Sequence, residues 1–271
     1  MRRLEKIIGP ILLAAAVVIT LFPVYWLATL SLKREVDQFA VPPIWLRFTP
    51  TLSHYYDIFW TRPFGAYLLH SVVAAGLSTL AALAAGTAAA YSLARFPRPG
   101  LAFWILSTRM FRPIVSIIPL FLMLRWAKLL DSIAALVVLY TAFNLPFVVW
   151  MMRGFFEELP ADLEEAAMMD GQSRLGALWK VVLPLVRPGL AATAAFCLVI
   201  GWNEFLFALI VVQTDAAMTL PVGIAGRVTQ YEIKWGAMSA AGVVAMLPVF
   251  LFAAGMQKYL VRGLSLGAVK G

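Results

Sequence analysis

Metal and redox chemistry have little to work with in this sequence. It holds one cysteine, Cys197, and two histidines, His54 and His70. A single cysteine excludes an intrachain disulfide, and its apolar surroundings predict a buried, inert thiol. The two histidines share no metal-like spacing, so no metal site is expected and both are read as non-functional. No Gly-x-x-x-x-Gly-Lys-Ser/Thr stretch occurs, which excludes a P-loop. HExxH is missing too, and no catalytic residue is assigned. Charge is scarce: 13% of residues are Asp, Glu, Lys or Arg, against roughly 25% in soluble domains.

Long apolar runs are what the sequence has instead. It is 62% hydrophobic, with a mean hydropathy of +0.85. Six stretches approach or exceed the ~20 apolar residues that cross a bilayer. They are Ile7–Leu32, Phe64–Leu93, Leu101–Leu124, Ser132–Met152, Gly189–Val212 and Gly236–Leu260. The first follows Met1-Arg-Arg-Leu-Glu-Lys6 and is too long for a signal-peptide core, so it is read as an uncleaved span. The expected fold class is an all-α integral membrane protein with six transmembrane helices.

The net charge of +8 does not point to nucleic acid, because the basic residues flank the apolar runs. With a cytoplasmic amino terminus, twelve lysines and arginines fall inside and eight outside, a bias in the usual direction. Arg109 and Arg112 remain within a span. Both termini are therefore expected in the cytoplasm of a bacterial cell, and the chain in its inner membrane.

Residues 33–63 form the long external loop, where Pro42-Pro43 and Thr49-Pro50 forbid a continuous helix. Ser53 is expected to cap a short aromatic helix there. The aromatics read as lying at headgroup depth, with a docking surface for an external protein as the alternative. The second span is rich in alanine and glycine, which predicts close helix packing. Pro113, Pro119, Pro146, Pro221 and Pro248 mark possible kinks.

One segment is too polar for lipid. Leu159 to Pro184 reads as a short helix opened by Pro160, with Asp162, Glu164 and Glu165 in its first turn. Asp170-Gly171 breaks it, and a second helix follows with Leu175, Leu178, Trp179 and Val182 spaced as one apolar stripe. A helix–turn–helix between two spans is expected to dock a soluble partner.

Glu165-Ala166-Ala167, then Asp170-Gly171, then Leu183-Pro184, resembles the EAA loop of permease subunits in binding-protein-dependent ABC importers. Trp202-Asn203-Glu204-Phe205-Leu206 and the end Gly263-Leu-Ser-Leu-Gly-Ala-Val-Lys-Gly271 are similar to the carbohydrate, maltose-permease-like branch. The resemblance runs from about Thr29 to the last residue. It implies a type I importer permease fold: residues 1–63 as first span and external loop, 64–260 as permease core with the coupling loop at 153–187, and 261–271 as a cytoplasmic tail. It implies that Glu164, Glu165, Ala166, Ala167, Asp170, Gly171, Leu183 and Pro184 couple to an ATPase. It also implies that Gly267, Ala268, Val269, Lys270 and Gly271 reach toward that ATPase. The implied partners are a second, different permease, two copies of the ATPase and an extracytoplasmic solute-binding protein, besides membrane lipid. No cofactor is expected in this chain, since ATP and magnesium would be held by the ATPase. The implied cargo is a sugar, polyol or sugar derivative. The turn Arg95–Gly100 is a candidate second ATPase contact.

Polar groups at membrane depth are costly and so are candidates for the translocation path. They are Arg109 and Arg112, three apart on the expected third helix; Asn144 in the fourth; and Trp202, Asn203 and Glu204 in the fifth. The arginines either pair with Glu204 as a structural ion pair or line a cavity and favour an anionic cargo. The family pattern has an apolar residue or proline at the arginine positions, so the resemblance assigns them no role. A membrane-bound enzyme would need an acid/base or metal cluster at one face. The acids at 157–170 do cluster, but without a histidine, and the helix dipole accounts for them. A passive channel would not need the polar loop.

Overall fold

Long helices are the direct product of the apolar runs. The computed structural model describes residues 2–61, 63–226 and 234–268, with side chains described over 9–61, 63–226 and 234–255. Four described helices are long and apolar enough to span a membrane by themselves: Gly9–Leu32, Phe64–Arg95, Ile133–Glu157 and Trp235–Gly255. Two further candidates are bent helix pairs, Pro99–Met110 with Pro113–Trp126 at 95° and Arg174–Leu185 with Arg187–Trp202 at 76°; in the second, Arg174–Leu185 belongs to the polar segment and Arg187–Trp202 to the fifth span. Counting each pair once gives six.

The third span departs from the continuous helix expected over Leu101–Leu124. Pro113 lacks an N–H and pushes the preceding residue out of the helical region. Arg112 accordingly sits at φ −66°, ψ 133°, and Phe111 at φ −72°, ψ 124°. Arg109 lies in a 3-10 turn, Thr108–Met110, just before the break. The two arginines therefore do not share one helix face.

The fifth span is interrupted as well. Its helix stops at Trp202 and resumes over Leu206–Val211. Asn203 folds back to donate to the Val199 carbonyl at 2.8 Å, and Glu204 accepts from the amides of Phe207 (2.9 Å) and Ala208 (3.3 Å). The two polar side chains supply partners to backbone groups that a helix end orphans. The sixth helix runs Trp235–Ala268, so the backbone stays helical into the stretch expected as a tail. Val269, Lys270 and Gly271 lie outside the described residues.

The chain divides into two units, Met1–Gly65 with Gly223–Pro248, and Ala66–Val222 with Val249–Gly271. In the first, Lys33 is buried at the end of the first span, with its ammonium 4.5 Å from the Trp26 ring centroid. Burial pushes its pKa down, partly offset by Asp37. His54 is structural: its Nε2 lies 2.8 Å from the Lys33 carbonyl. Ser53 is itself the first residue of the helix Ser53–Tyr56 and makes no cap, a correction to the expected role; Asp57–Thr61 continues as a π turn.

In the second unit, Gly86 shows what the small residues of the second span do. A Cβ built there would fall 2.7 Å from Val148, so only glycine permits this approach to the fourth span. At one end of this unit Asp131 clamps residues 213–214. Its carboxylate accepts from the amides of Gln213 (2.9 Å) and Thr214 (3.0 Å) and from the Thr214 hydroxyl (2.6 Å). The Thr214 hydroxyl first, and then the two amides, hold its pKa below the usual carboxylate value despite burial. A depressed carboxylate contributes stability above its unfolded pKa and loses it as pH falls through the folded one. Asp131→Asn, which still tolerates the observed φ of 56°, should cost about 1 kcal/mol at pH 7. The difference from wild type should begin to shrink near about pH 4 and vanish only below the lowered pKa of the folded state. A pH-independent difference would remove the ionised carboxylate from the clamp.

Candidate functional site

The polar segment folds as its sequence pattern predicts. Asp162–Met169 is helical with three carboxylates in its first turn, and Gly171 adopts φ +83° at the turn. Ser173 then caps Arg174–Ala177, accepting from Gly176 N at 3.1 Å.

Leu178–Val182 is a π turn, and the apolar stripe around it is split. Leu178 and Val182 are buried, joining Val148, Met152, Phe156 and Cys197 in one core that fixes the segment to the spans. Leu175 and Trp179 are 68% and 69% exposed. With Met169, 89% exposed, and the exposed Leu163, they make an apolar outer face.

The same split divides the residues assigned to coupling. Glu165, Ala166, Asp170 and Gly171 are exposed, and Leu183 and Pro184 are half-buried. Ala167 and Glu164 turn inward.

Glu164 is 7% exposed and ties the segment down. Its Oε1 accepts from Arg95 Nε at 2.6 Å and its Oε2 from the Tyr91 hydroxyl at 2.7 Å. Arg95 also donates from Nη1 to the Phe156 carbonyl (3.1 Å) and from Nη2 to the Leu159 carbonyl (3.3 Å). One guanidinium thus joins the second span, the end of the fourth and the polar segment. Arg174 adds a second tie, its guanidinium 5.2 Å from the Phe96 ring centroid. Arg95 and Tyr91 were missed as members of this site. Some seventy residues separate them from Glu164, and no local pattern marks the pairing.

The candidate path residues are only partly brought together. Arg109 stacks on Phe147 at 5.0 Å, and Phe147 meets Phe196 edge-to-face at 6.0 Å. Phe147 follows Asn144 by three residues, so they share a side of the fourth span. Asn144 is 2% exposed and its Nδ2 has no hydrogen-bond partner among the described residues. Trp202 is buried at its helix end, and Asn203 is exposed. Arg109 and Arg112 are exposed, and neither forms an ion pair with Glu204 or any other carboxylate among the described residues. The structural pair weighed from the sequence is not formed.

Residues 82–266 match the family described as the inner membrane component of binding-protein-dependent transport systems. The chain belongs to this family. It is 36% identical to a probable ABC transporter permease protein of Sinorhizobium fredii, covering 99% of this chain and 97% of that one. It is 38% identical to the sulfoquinovosyl glycerol transport system permease of Agrobacterium fabrum, covering 93% and 89%. It is 35% identical to the trehalose/maltose transport system permease of Thermococcus litoralis, covering 100% and 98%. A bacterial ABC transporter involved in import of the acidic polysaccharide alginate shares the fold, with a TM-score of 0.79 at 24% identity over 95% of this chain and 96% of that one. The protein is an ABC importer permease subunit, with a transport role and not an enzymatic one. Its helix–turn–helix is seated on the second and fourth spans by Arg95.

Proposed function

We propose that this permease is one half of a heterodimeric pore that imports a sugar, polyol or sugar derivative across the bacterial inner membrane. It works with a second, different permease, two copies of a cytoplasmic ATPase and an extracytoplasmic binding protein. ATP and magnesium belong to the ATPase, and both termini of this chain lie on its side. Relatives named for trehalose/maltose, diacetylchitobiose and sulfoquinovosyl glycerol transport support the cargo class.

The observation that carries the reading is the polar segment, which exposes large apolar side chains among its charges and is fastened on its inner side. Leu163, Met169, Leu175 and Trp179 offer a surface for a groove in the ATPase, and Gly171 lets the chain turn there. Closure of the ATPases moves this element, and the Arg95–Glu164 bridge passes the movement to the second span and the end of the fourth. Arg109, Arg112, Asn144, Trp202, Asn203 and Glu204 belong to the path that then opens. Gly267, Ala268, Val269, Lys270 and Gly271 reach toward the ATPase pair.

The test is purification of the tagged chain in mild detergent after expression with its co-encoded neighbours. The expected particle holds one copy of this chain, one different permease and two ATPases, and its ATP hydrolysis rises when ligand-loaded binding protein is added. A stable particle without an ATPase, or one holding two copies of this chain, contradicts the proposal.

A further inference from the structure

Glu204 lies in the break that follows Trp202 in the fifth span, whereas Arg109 and Arg112 both lie at the break of the third span. The spans of this chain therefore hold an excess of positive charge whatever pairing Glu204 adopts. In the structure it adopts none with them, since both its oxygens accept from the amides of Phe207 and Ala208. Each guanidinium is exposed, and no hydrogen bond or carboxylate satisfies it among the described residues.

An uncompensated guanidinium half-way along a span is costly unless it meets water or an anion. The break fixes where these two stand. Arg109 is held on the Phe147 ring, on the side of the fourth span that carries Asn144. Arg112 stands three residues on, within roughly 11 Å of chain reach. It is the N-cap of the fourteen-residue helix Pro113–Trp126, whose positive end adds to the same field. Charge of one sign in a water-poor surrounding acts strongly, and the fork of a guanidinium matches the paired oxygens of an oxyanion.

We propose that Arg109 and Arg112 form an oxyanion-selective constriction, and that the cargo is a glycoside bearing a carboxylate, sulfate, sulfonate or phosphate. The inference rests on reading this chain as half of a sugar-importing pore. In passage the acidic group exchanges its water for the two guanidinium groups. Neutral sugars find no counterpart for the fixed charge and pass less well.

Two measurements test it. The co-encoded binding protein is titrated by calorimetry with a glucuronate-bearing disaccharide, sulfoquinovose and a sugar phosphate, and with maltose and trehalose as neutral probes. Binding of an acidic probe is expected. Binding of neutral probes alone overturns the anionic cargo and leaves the sugar-importer reading intact. Then uptake of the acidic probe is measured in vesicles containing the complete complex with Arg109→Gln and Arg112→Gln, singly and together. A rise in KM of at least about ten-fold, the loss expected for one charged hydrogen bond, should accompany an unchanged yield of assembled complex. Arg109→Lys and Arg112→Lys should recover most of it. Uptake within two-fold of wild type in the double variant overturns the proposal. So does failure of the Gln variants to assemble where the Lys variants succeed, which would assign the charges to a carboxylate of the companion permease.

Discussion

Arg95→Ala should release the coupling segment from the membrane helices. Removing the guanidinium leaves the Glu164 carboxylate buried with only the Tyr91 hydroxyl, and strips the carbonyls of Phe156 and Leu159 of their donor. Breaking one side of a buried pair costs about 3–5 kcal/mol, because the surviving charge stays uncompensated. The purified complex should melt earlier, and limited proteolysis should cut between residues 159 and 186. Adding Glu164→Gln should restore part of the loss, since the orphaned charge is then gone, and a double-mutant cycle measures the coupling directly. If Arg95→Ala melts with wild type and resists protease equally, the bridge does not hold the segment.

Gly171→Asp should uncouple transport without preventing assembly. The φ of +83° at this turn is one that non-glycine residues enter at a cost of about 1–3 kcal/mol. No neighbouring heavy atom lies within 4 Å of a Cβ built there, so the added carboxylate projects into open space on the exposed face. A further carboxylate beside the exposed Asp170 adds to the negative charge next to Met169, Leu175 and Trp179 and opposes apolar docking. Uptake should fall by about ten-fold or more, the effect of losing roughly 1.4 kcal/mol at the contact, while ATP hydrolysis continues unlinked to cargo. Gly171→Asn separates the two causes, because it meets the positive φ about as well as Asp does and carries no charge. It should lose much less. Wild-type uptake by an assembled Gly171→Asp complex would move the ATPase contact elsewhere.

The helix–turn–helix was legible because its signals are local. The carboxylate-rich opening turn and Asp170-Gly171 are marks of helix start and stop, and the structure places a helix and a turn there. The apolar spans were legible for the same reason. What hydropathy hides is interruption. An average over twenty residues reads straight through Arg112-Pro113 and Asn203-Glu204, although each pair carries its own backbone chemistry. The proline at 113 was noted as a kink, and the extended conformation it imposes on Arg112 takes the two arginines off one helix face. The stripe at 175–182 is about 100° wide at 3.6 residues per turn, room enough for a buried edge, Leu178 and Val182, beside an exposed one, Leu175 and Trp179. The Arg95–Glu164 bridge lay furthest from view. Its partners meet only after the second and fourth spans have packed, and the single sequence holds no trace of that encounter.

The central claim is that movement of the segment 159–186 drives cargo across the pore. Its most direct test places the complete complex in vesicles and follows ATP hydrolysis and cargo uptake in the same preparation, wild type beside Gly171→Asp. The account predicts uptake that requires ATP and loaded binding protein in the wild type, and hydrolysis without uptake in the variant. Uptake that proceeds without ATP, or that keeps its wild-type ratio to hydrolysis in the variant, would contradict it.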